Sequence, residues 1–418
     1  MSPRYAKPLI LRTLPKDRHV VVEASAGTGK TYTLEHLVVD LILTTDVTIA
    51  QVLVVTFTER ATGELRQRVR AILQRLLDLR KDDPNAAGLP DDACWILDDQ
   101  ARARLERALR QFDTATISTI HGFCRRILTE HAFANQRLFA ERNVDGREAF
   151  ASAFRDTVRE VLAVDPACRP ILETWLANWN VDQLEALLYE ATRERAELLP
   201  ALDDAWVDPG GAEEGPARDL AAIDADVVRL ESLAVQRFLP LVVERLERRK
   251  REQGLFDFDD MLGLVRRSLS GEHGEALARI LRGRYAVALI DEFQDTDEVQ
   301  WEIFRRVFFD GAGDTRLYVI GDPKQAIYRF RGADVETYLS AKAEILGAGG
   351  ARVALLDNYR STRSLIDAYN SILDQGAPEP FFTSEGIDYA EPVACGNRDL
   401  RLMGPGGEEA APVHVFEV

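Results

Sequence analysis

Residues 20–31, VVVEASAGTGKT, pass from an apolar β-branched run through a loop of small residues to Lys30 and Thr31. Val20, Val21 and Val22 predict a buried strand, and the apolar spacing of TYTLEHLVVDLIL, from Thr31 on, predicts a helix, so the loop stands at a strand-to-helix junction. Residues 26–29 lack bulky side chains. Backbone N–H groups can therefore close around phosphate oxygens, and the helix N-terminus adds partial positive charge. The candidate cofactor-binding loop is Ala24, Ser25, Ala26, Gly27, Thr28 and Gly29, with Lys30 placed to reach terminal phosphates and the Thr31 hydroxyl to ligate Mg²⁺. The usual pattern opens with glycine; Ala24 serves there if its φ is negative. An ordinary small-residue turn would need neither the Lys-Thr pair nor the strand-loop-helix context.

The chain has 418 residues, enough for two or three domains, and with 29% charged and 46% hydrophobic residues it reads as globular. Cys94, Cys124, Cys168 and Cys395 are scattered without a CxxC pair, which argues against a zinc site or a disulfide framework and fits a reducing cytoplasm. The first residues lack the apolar core of a leader, and no apolar stretch is long enough to span a bilayer, so no membrane association is expected. A net charge of −17 is opposite to that of a protein coated by nucleic acid. Arginine is nonetheless concentrated locally, at Arg60, Arg66, Arg68, Arg70 and Arg75, and at Arg102, Arg104, Arg107, Arg110, Arg125 and Arg126. The alternative is that these are solvated helix faces.

Outward from the loop, AQVLVVTF (50–57) predicts a second buried strand, followed by an amphipathic helix with Leu65, Val69, Ile72, Leu73 and Leu76 on one face. This βαβα order is that of a parallel sheet. A turn-rich break at 81–92 precedes an Arg-rich helix and ATISTIHGFCRRIL, a strand turning into a helix. From about 133 to 270 the chain reads as an irregular helical insertion without a fixed repeat, interrupted by VDPGGAEEGPARD. Strands return at YAVALID (285–291), RLYVIG (316–321) and ARVALLD, and the chain closes on a strand-like PVHVFEV.

Three stretches carry further chemistry. ALIDEFQDTD (288–297) places Asp291 and Glu292 at the C-terminal end of a buried strand, where ligands of open α/β sheets bind; Asp291 suits the magnesium that Thr31 touches, Glu292 the activation of water. This strand and the one before the loop are expected to be neighbours. In VIGDPKQAIYRFRGAD (319–334), Gln325 is a candidate sensor of a terminal phosphate, and Tyr328, Phe330 and Arg331 interleave rings with charge as single-strand stacking surfaces do, unless the rings are core. In LLDNYRST, Arg360 is a candidate arginine finger. Thr56, Phe57 and His121, each just after a strand, suit contacts to a phosphate backbone and a base.

In this order EASAGTGKT, VVTFTERATGELRQRV, TIHGFCRRIL, FDFDDML, LIDEFQDTD, IGDPKQAIYRFRGAD and LDNYRS resemble the superfamily 1 helicases of the UvrD type, and within them the RecB type, the β subunit of exodeoxyribonuclease V. The resemblance runs from Glu23 to Thr362. It implies an α/β fold: a RecA-like P-loop NTPase domain with a parallel sheet, a large α-helical insertion and the start of a second RecA-like domain. The implied parts are the first motor domain at 1–128 and 280–350, the insertion at 129–279 and the opening of the second domain at 351–418. It further implies an ATP- and Mg²⁺-dependent motor that moves 3′ to 5′ on one DNA strand and unwinds duplex, with partner subunits of a RecBCD-like complex. Lys30, Thr31, Asp291 and Glu292 would form the nucleotide site, Gln325 would link it to DNA, and Arg360 would be the finger. Tyr359 would stack on adenine with Tyr32 flanking it, and Thr56, Phe57, His121, Tyr328, Phe330 and Arg331 would line the single-strand track. Two departures stand out: no glutamine precedes Glu23 to read adenine, and nothing after Thr362 resembles the last two motor motifs or a nuclease signature. The chain is thus expected to be an N-terminal portion that by itself binds Mg-ATP weakly and hydrolyses it slowly or not at all. Readings from other classes are a non-catalytic scaffold subunit of a DNA-processing complex and a P-loop ATPase unrelated to DNA.

Overall fold

The computed structural model describes residues 2–130, 142–193, 230–311, 315–326, 335–374, 386–387, 389, 391–403, 410 and 412. The described residues form two compact units: those up to 130 together with those from 265 onward, and those between 142 and 264.

The first unit opens with β1 (Arg4–Ala6), β2 (Val20–Ala24), α1 (Lys30–Thr44), β3 (Val52–Thr56) and α2 (Glu59–Asp78). Next come β4 (Cys94–Ile96), α3 (Asp99–Arg110), β5 (Thr116–Thr119) and α4 (Ile120–Glu130). The second unit holds β6 (Arg142–Asn143), α5 (Gly146–Thr157), α6 (Arg169–Asn178), α7 (Val181–Arg193), α8 (Leu230–Gln253), β7 (Leu255–Phe256) and the start of α9 (Phe258–Ser270). Back in the first unit are α10 (Gly274–Arg284), β8 (Val287–Ile290), α11 (Glu298–Phe304), β9 (Arg316–Gly321) and α12 (Val335–Gly347). It ends with β10 (Ala351–Leu355), β11 (Asp357–Asn358), α13 (Arg363–Ile372) and β12 (Ala394–Cys395).

Six strands pair in parallel in the order β10-β2-β9-β8-β3-β5. The inner strands are continuous apolar runs because helices cover both faces, and Val20, Val21 and Val22 are fully buried. The core joins Val20, Val22, Val54 and Ile320 of the sheet to Leu34, Leu37 and Leu41 of α1. The apolar stripe of α2 expected from its spacing, Leu65 through Leu76, is buried throughout.

The order corrects one expectation. β2 and β8 are not neighbours, since β9 hydrogen-bonds to both and lies between them. Another finding concerns 351–355, expected at the opening of a second domain. This segment extends the first sheet as its edge, Ala351 opposite Val20 and Leu355 opposite Ala24, because the free side of β2 offers a full parallel ladder. All the described residues after it belong to the same unit.

Much of the local arginine is structural. Arg102 donates to Leu77 O and Leu79 O, both at 2.7 Å, at the end of α2, and Arg104 donates to Ile42 O and Leu43 O at 3.2 Å at the end of α1. Arg66 donates to Ile117 O at 3.1 Å on edge strand β5, and Arg126 to Thr116 Oγ1 at 2.7 Å. One pairing had no signal in the sequence: β1 runs antiparallel to β4, Tyr5 opposite Trp95.

The second unit packs Phe150, Phe154, Trp175, Leu184, Leu188 and Phe238 into a helical core. The segment FDFDDML begins α9 through reciprocal bonds: Asp257 Oδ1 accepts from Asp260 N at 3.0 Å, and Asp260 Oδ2 from Asp257 N at 2.9 Å. The buried Lys250 ammonium bridges both carboxylates, at 2.8 and 2.9 Å. This compact helical unit is narrower than the 129–279 expected for the insertion.

Candidate nucleotide site

The loop after β2 is shaped by its glycines. Gly27 and Gly29 have φ of +80° and +87°, in the left-handed region, and Gly29 caps α1. Ala24 closes the strand opposite Leu355 and is absent from the residues of positive φ, so alanine meets no strain there. Thr28 Oγ1 donates to Ser25 O at 2.7 Å and tightens the loop. A Cβ on Gly27 would come within 2.8 Å of Arg360 Cβ and 2.9 Å of the Asn358 amide.

Asn358 is the reason for that closeness. Its Nδ2 donates to Ala26 O at 2.8 Å while its Oδ1 accepts from Arg360 N and Ser361 N, both at 2.9 Å. Tyr359 N donates to Gly27 O at 2.9 Å. Tyr359 is 57% exposed, with its ring against Gly396, whose Cβ would lie 2.6 Å from Cε1. Arg360 is exposed beside the loop and makes no ion pair among the described residues. Tyr32, 47% exposed, leans on His36 at 4.0 Å between centroids, and His36 Nδ1 donates to Tyr32 O at 2.8 Å.

Across the intervening strand, Lys30 Nζ donates to Glu292 Oε2 at 2.7 Å. Glu292 is the one non-glycine among the described residues with positive φ, 50°. Asp291 N is held by Val55 O at 2.8 Å, and Asp291 Oδ1 accepts from Glu292 N at 3.0 Å. Burial first, and the Glu292 charge second, push the Asp291 carboxyl up to about 6. The same two causes push Asp295 up to about 6, and its Oδ1 is buried without a hydrogen-bond partner. Three carboxyls thus face one ammonium, an excess of negative charge that suits a divalent cation. Among the described residues no three His, Cys, Asp or Glu side chains form a group able to hold a metal ion by themselves.

At the end of β9, Gln325 Nε2 donates to Asp322 Oδ2 at 2.7 Å within the turn Pro323–Gln325. Asp322 N in turn donates to Gln294 Oε1 at 3.0 Å. Gln294, Asp295, Asp322 and Asn358 were missed from the sequence. Each lies inside or next to a quoted motif, but only contacts between strand exits reveal its part.

The expected strand-track residues differ in their surroundings. Thr56 is buried, and its hydroxyl is occupied at 2.6 Å by Thr62 Oγ1 and at 3.2 Å by Thr58 O, inside the turn that starts α2. Phe57 follows it, half-buried. His121 is half-buried at the start of α4, where burial lowers its ring pKa to about 4. Tyr328, Phe330 and Arg331 lie outside the described residues.

Residues 11–345 match the UvrD/REP helicase N-terminal domain. The RecBCD enzyme subunit RecB of Escherichia coli (strain K12) is 32% identical over 95% of this chain and 41% of its own length. The RecBCD enzyme subunit RecB of Mycolicibacterium smegmatis is 36% identical over 84% of the chain and 29% of its own length, and that of Mycobacterium tuberculosis (H37Rv) 35% over 87% and 30%. The chain spans less than half the length of these relatives. Among the described residues no helix is long and apolar enough to cross a membrane. With a family match over most of its length and an α/β fold to suit, the chain belongs to the UvrD/REP helicase family.

Proposed function

We propose that this chain is the ATP-binding part of a RecB-type DNA helicase that moves 3′ to 5′ on single-stranded DNA in the cytoplasm, within a complex like RecBCD. The observation that carries the reading is the 2.7 Å contact between Lys30 and Glu292, which joins the phosphate loop to the acidic exit of β8 across an intervening strand.

ATP and Mg²⁺ suit the residues present. Lys30 would turn from Glu292 to the terminal phosphates, with the loop amides around them; Thr31 and Asp291 would hold the magnesium, whose charge would offset the crowded carboxyls. Glu292, released from Lys30, would orient the attacking water. Arg360 stands beside Gly27, where a cation can meet charge developing on the transferred phosphoryl group. Tyr359 and Tyr32 are the exposed rings on which a base can stack. The strand track is assigned to Phe57 and His121 with Tyr328, Phe330 and Arg331, while Thr56 shapes the turn that presents Phe57. An intact Lys30–Glu292 pair favours this reading over a scaffold that has lost turnover.

The test is fluorescence titration of the chain with an ATP analogue in the presence and absence of Mg²⁺. Saturable, Mg²⁺-dependent binding is expected, and Lys30→Ala is expected to remove it. Binding indifferent to that change would refute the site.

A further inference from the structure

Gln294 lies between the acidic exit of β8 and the exit of β9, and both ends of its amide are engaged. Nε2 donates to Glu292 Oε2 at 2.8 Å, and more weakly to Asp295 Oδ2 at 3.4 Å, while Oε1 accepts from Asp322 N at 3.0 Å. A backbone N–H can only donate and a carboxylate only accept, so the amide has one orientation. The side chain is buried, at 2% exposure. Gly321 makes the approach possible, because a Cβ there would lie 2.7 Å from Gln294 Oε1 and 3.1 Å from its backbone N.

The contacts on either side extend the connection. Lys30 Nζ shares Glu292 Oε2 with Gln294, at 2.7 Å. At the other end, the residue whose N–H Gln294 accepts, Asp322, holds Gln325 Nε2 through Oδ2 at 2.7 Å. The order Lys30, Glu292, Gln294, Asp322, Gln325 is therefore continuous in hydrogen bonds, apart from the covalent step within Asp322.

We propose that Gln294 is a positioning residue that couples the Glu292 carboxylate to Gln325, so that the state of the nucleotide at one strand exit is felt at the next. The inference rests on the nucleotide site proposed above. When Lys30 leaves Glu292 for phosphate, the Gln294 amide stays as the donor on Oε2 and keeps the carboxylate from swinging free. Because Oε1 is tied to a backbone N–H, any displacement of Glu292 is passed to Asp322 and so to Gln325. Coupling of this kind is measured as the non-additivity of a pair of substitutions.

The experiment is a double-mutant cycle on the full chain, read as Mg²⁺-dependent affinity for a fluorescent, slowly hydrolysed ATP analogue. Gln325→Ala is expected to weaken binding about fivefold or more in the parent, and by no more than about twofold in a Gln294→Met background. Equal weakening in both backgrounds, or none in the parent, overturns the proposal. Gln294→Glu keeps an acceptor for Asp322 N–H but loses the donor to Glu292, so it too is expected to uncouple the pair; coupling that survives in it overturns the proposal as well. It also carries the test should Gln294→Met fail to fold. Lys30→Ala separates the two levels. If it leaves binding unchanged, the nucleotide site itself is wrong; if it abolishes binding while the other changes add, only the coupling is wrong.

Discussion

Gly27 has two independent reasons to be glycine: a left-handed backbone, and no room for a Cβ beside Arg360 and Asn358. Gly29 shares only the first, since a Cβ there would meet nothing nearer than Tyr32 Cβ at 3.8 Å. Both alanine variants are expected to lose about 1–3 kcal/mol to backbone strain, and Gly27→Ala to lose more, as measured by thermal unfolding. Equal losses would mean that 358–360 does not press on the loop. His36 supplies a pH prediction. It is buried, and burial lowers its pKa from 6.5 to about 4, so the unfolded chain takes up the proton first. Its contribution to stability is therefore full above pH 6.5 and declines as pH falls from there towards 4, by at most about 3 kcal/mol. A ring titration by NMR should show His36 neutral at pH 5.5; a midpoint near 6.5 would contradict its burial.

At the scale of elements, the helices of the first unit depend on one another through their ends. The fork of Arg102, on α3, closes two carbonyls where α2 stops. Arg102→Ala is expected to cost about 1–3 kcal/mol in denaturant unfolding, whereas Arg107→Ala, on the exposed face of the same helix, should change stability by less than about 0.5 kcal/mol. An equally small change at both positions would return Arg102 to a solvated face. The strands and long helices of this unit were legible because their apolar patterning is strong. The pairing of β1 with β4 was not, since three-residue strands some 90 positions apart leave no periodic trace.

For the molecule as a whole, a charge of −17 means that any DNA must meet a local surface and not a general field. Binding of labelled single-stranded DNA by the chain is expected to weaken as salt rises from 50 to 200 mM, roughly in proportion to the phosphates contacted; salt-independent binding would remove the DNA reading. The sequence alone determined the small-residue loop between strand and helix, the acidic strand exit and the family, because each is written in contiguous residues. It did not determine which strand lies beside which. Tertiary structure put β9 between β2 and β8, carried Ala351–Leu355 to the edge of the same sheet, and turned Gln294 and Asn358 into bridges. These depend on hydrogen bonds between residues tens to hundreds of positions apart, and on which strand edges remain free for pairing, neither of which local patterning records.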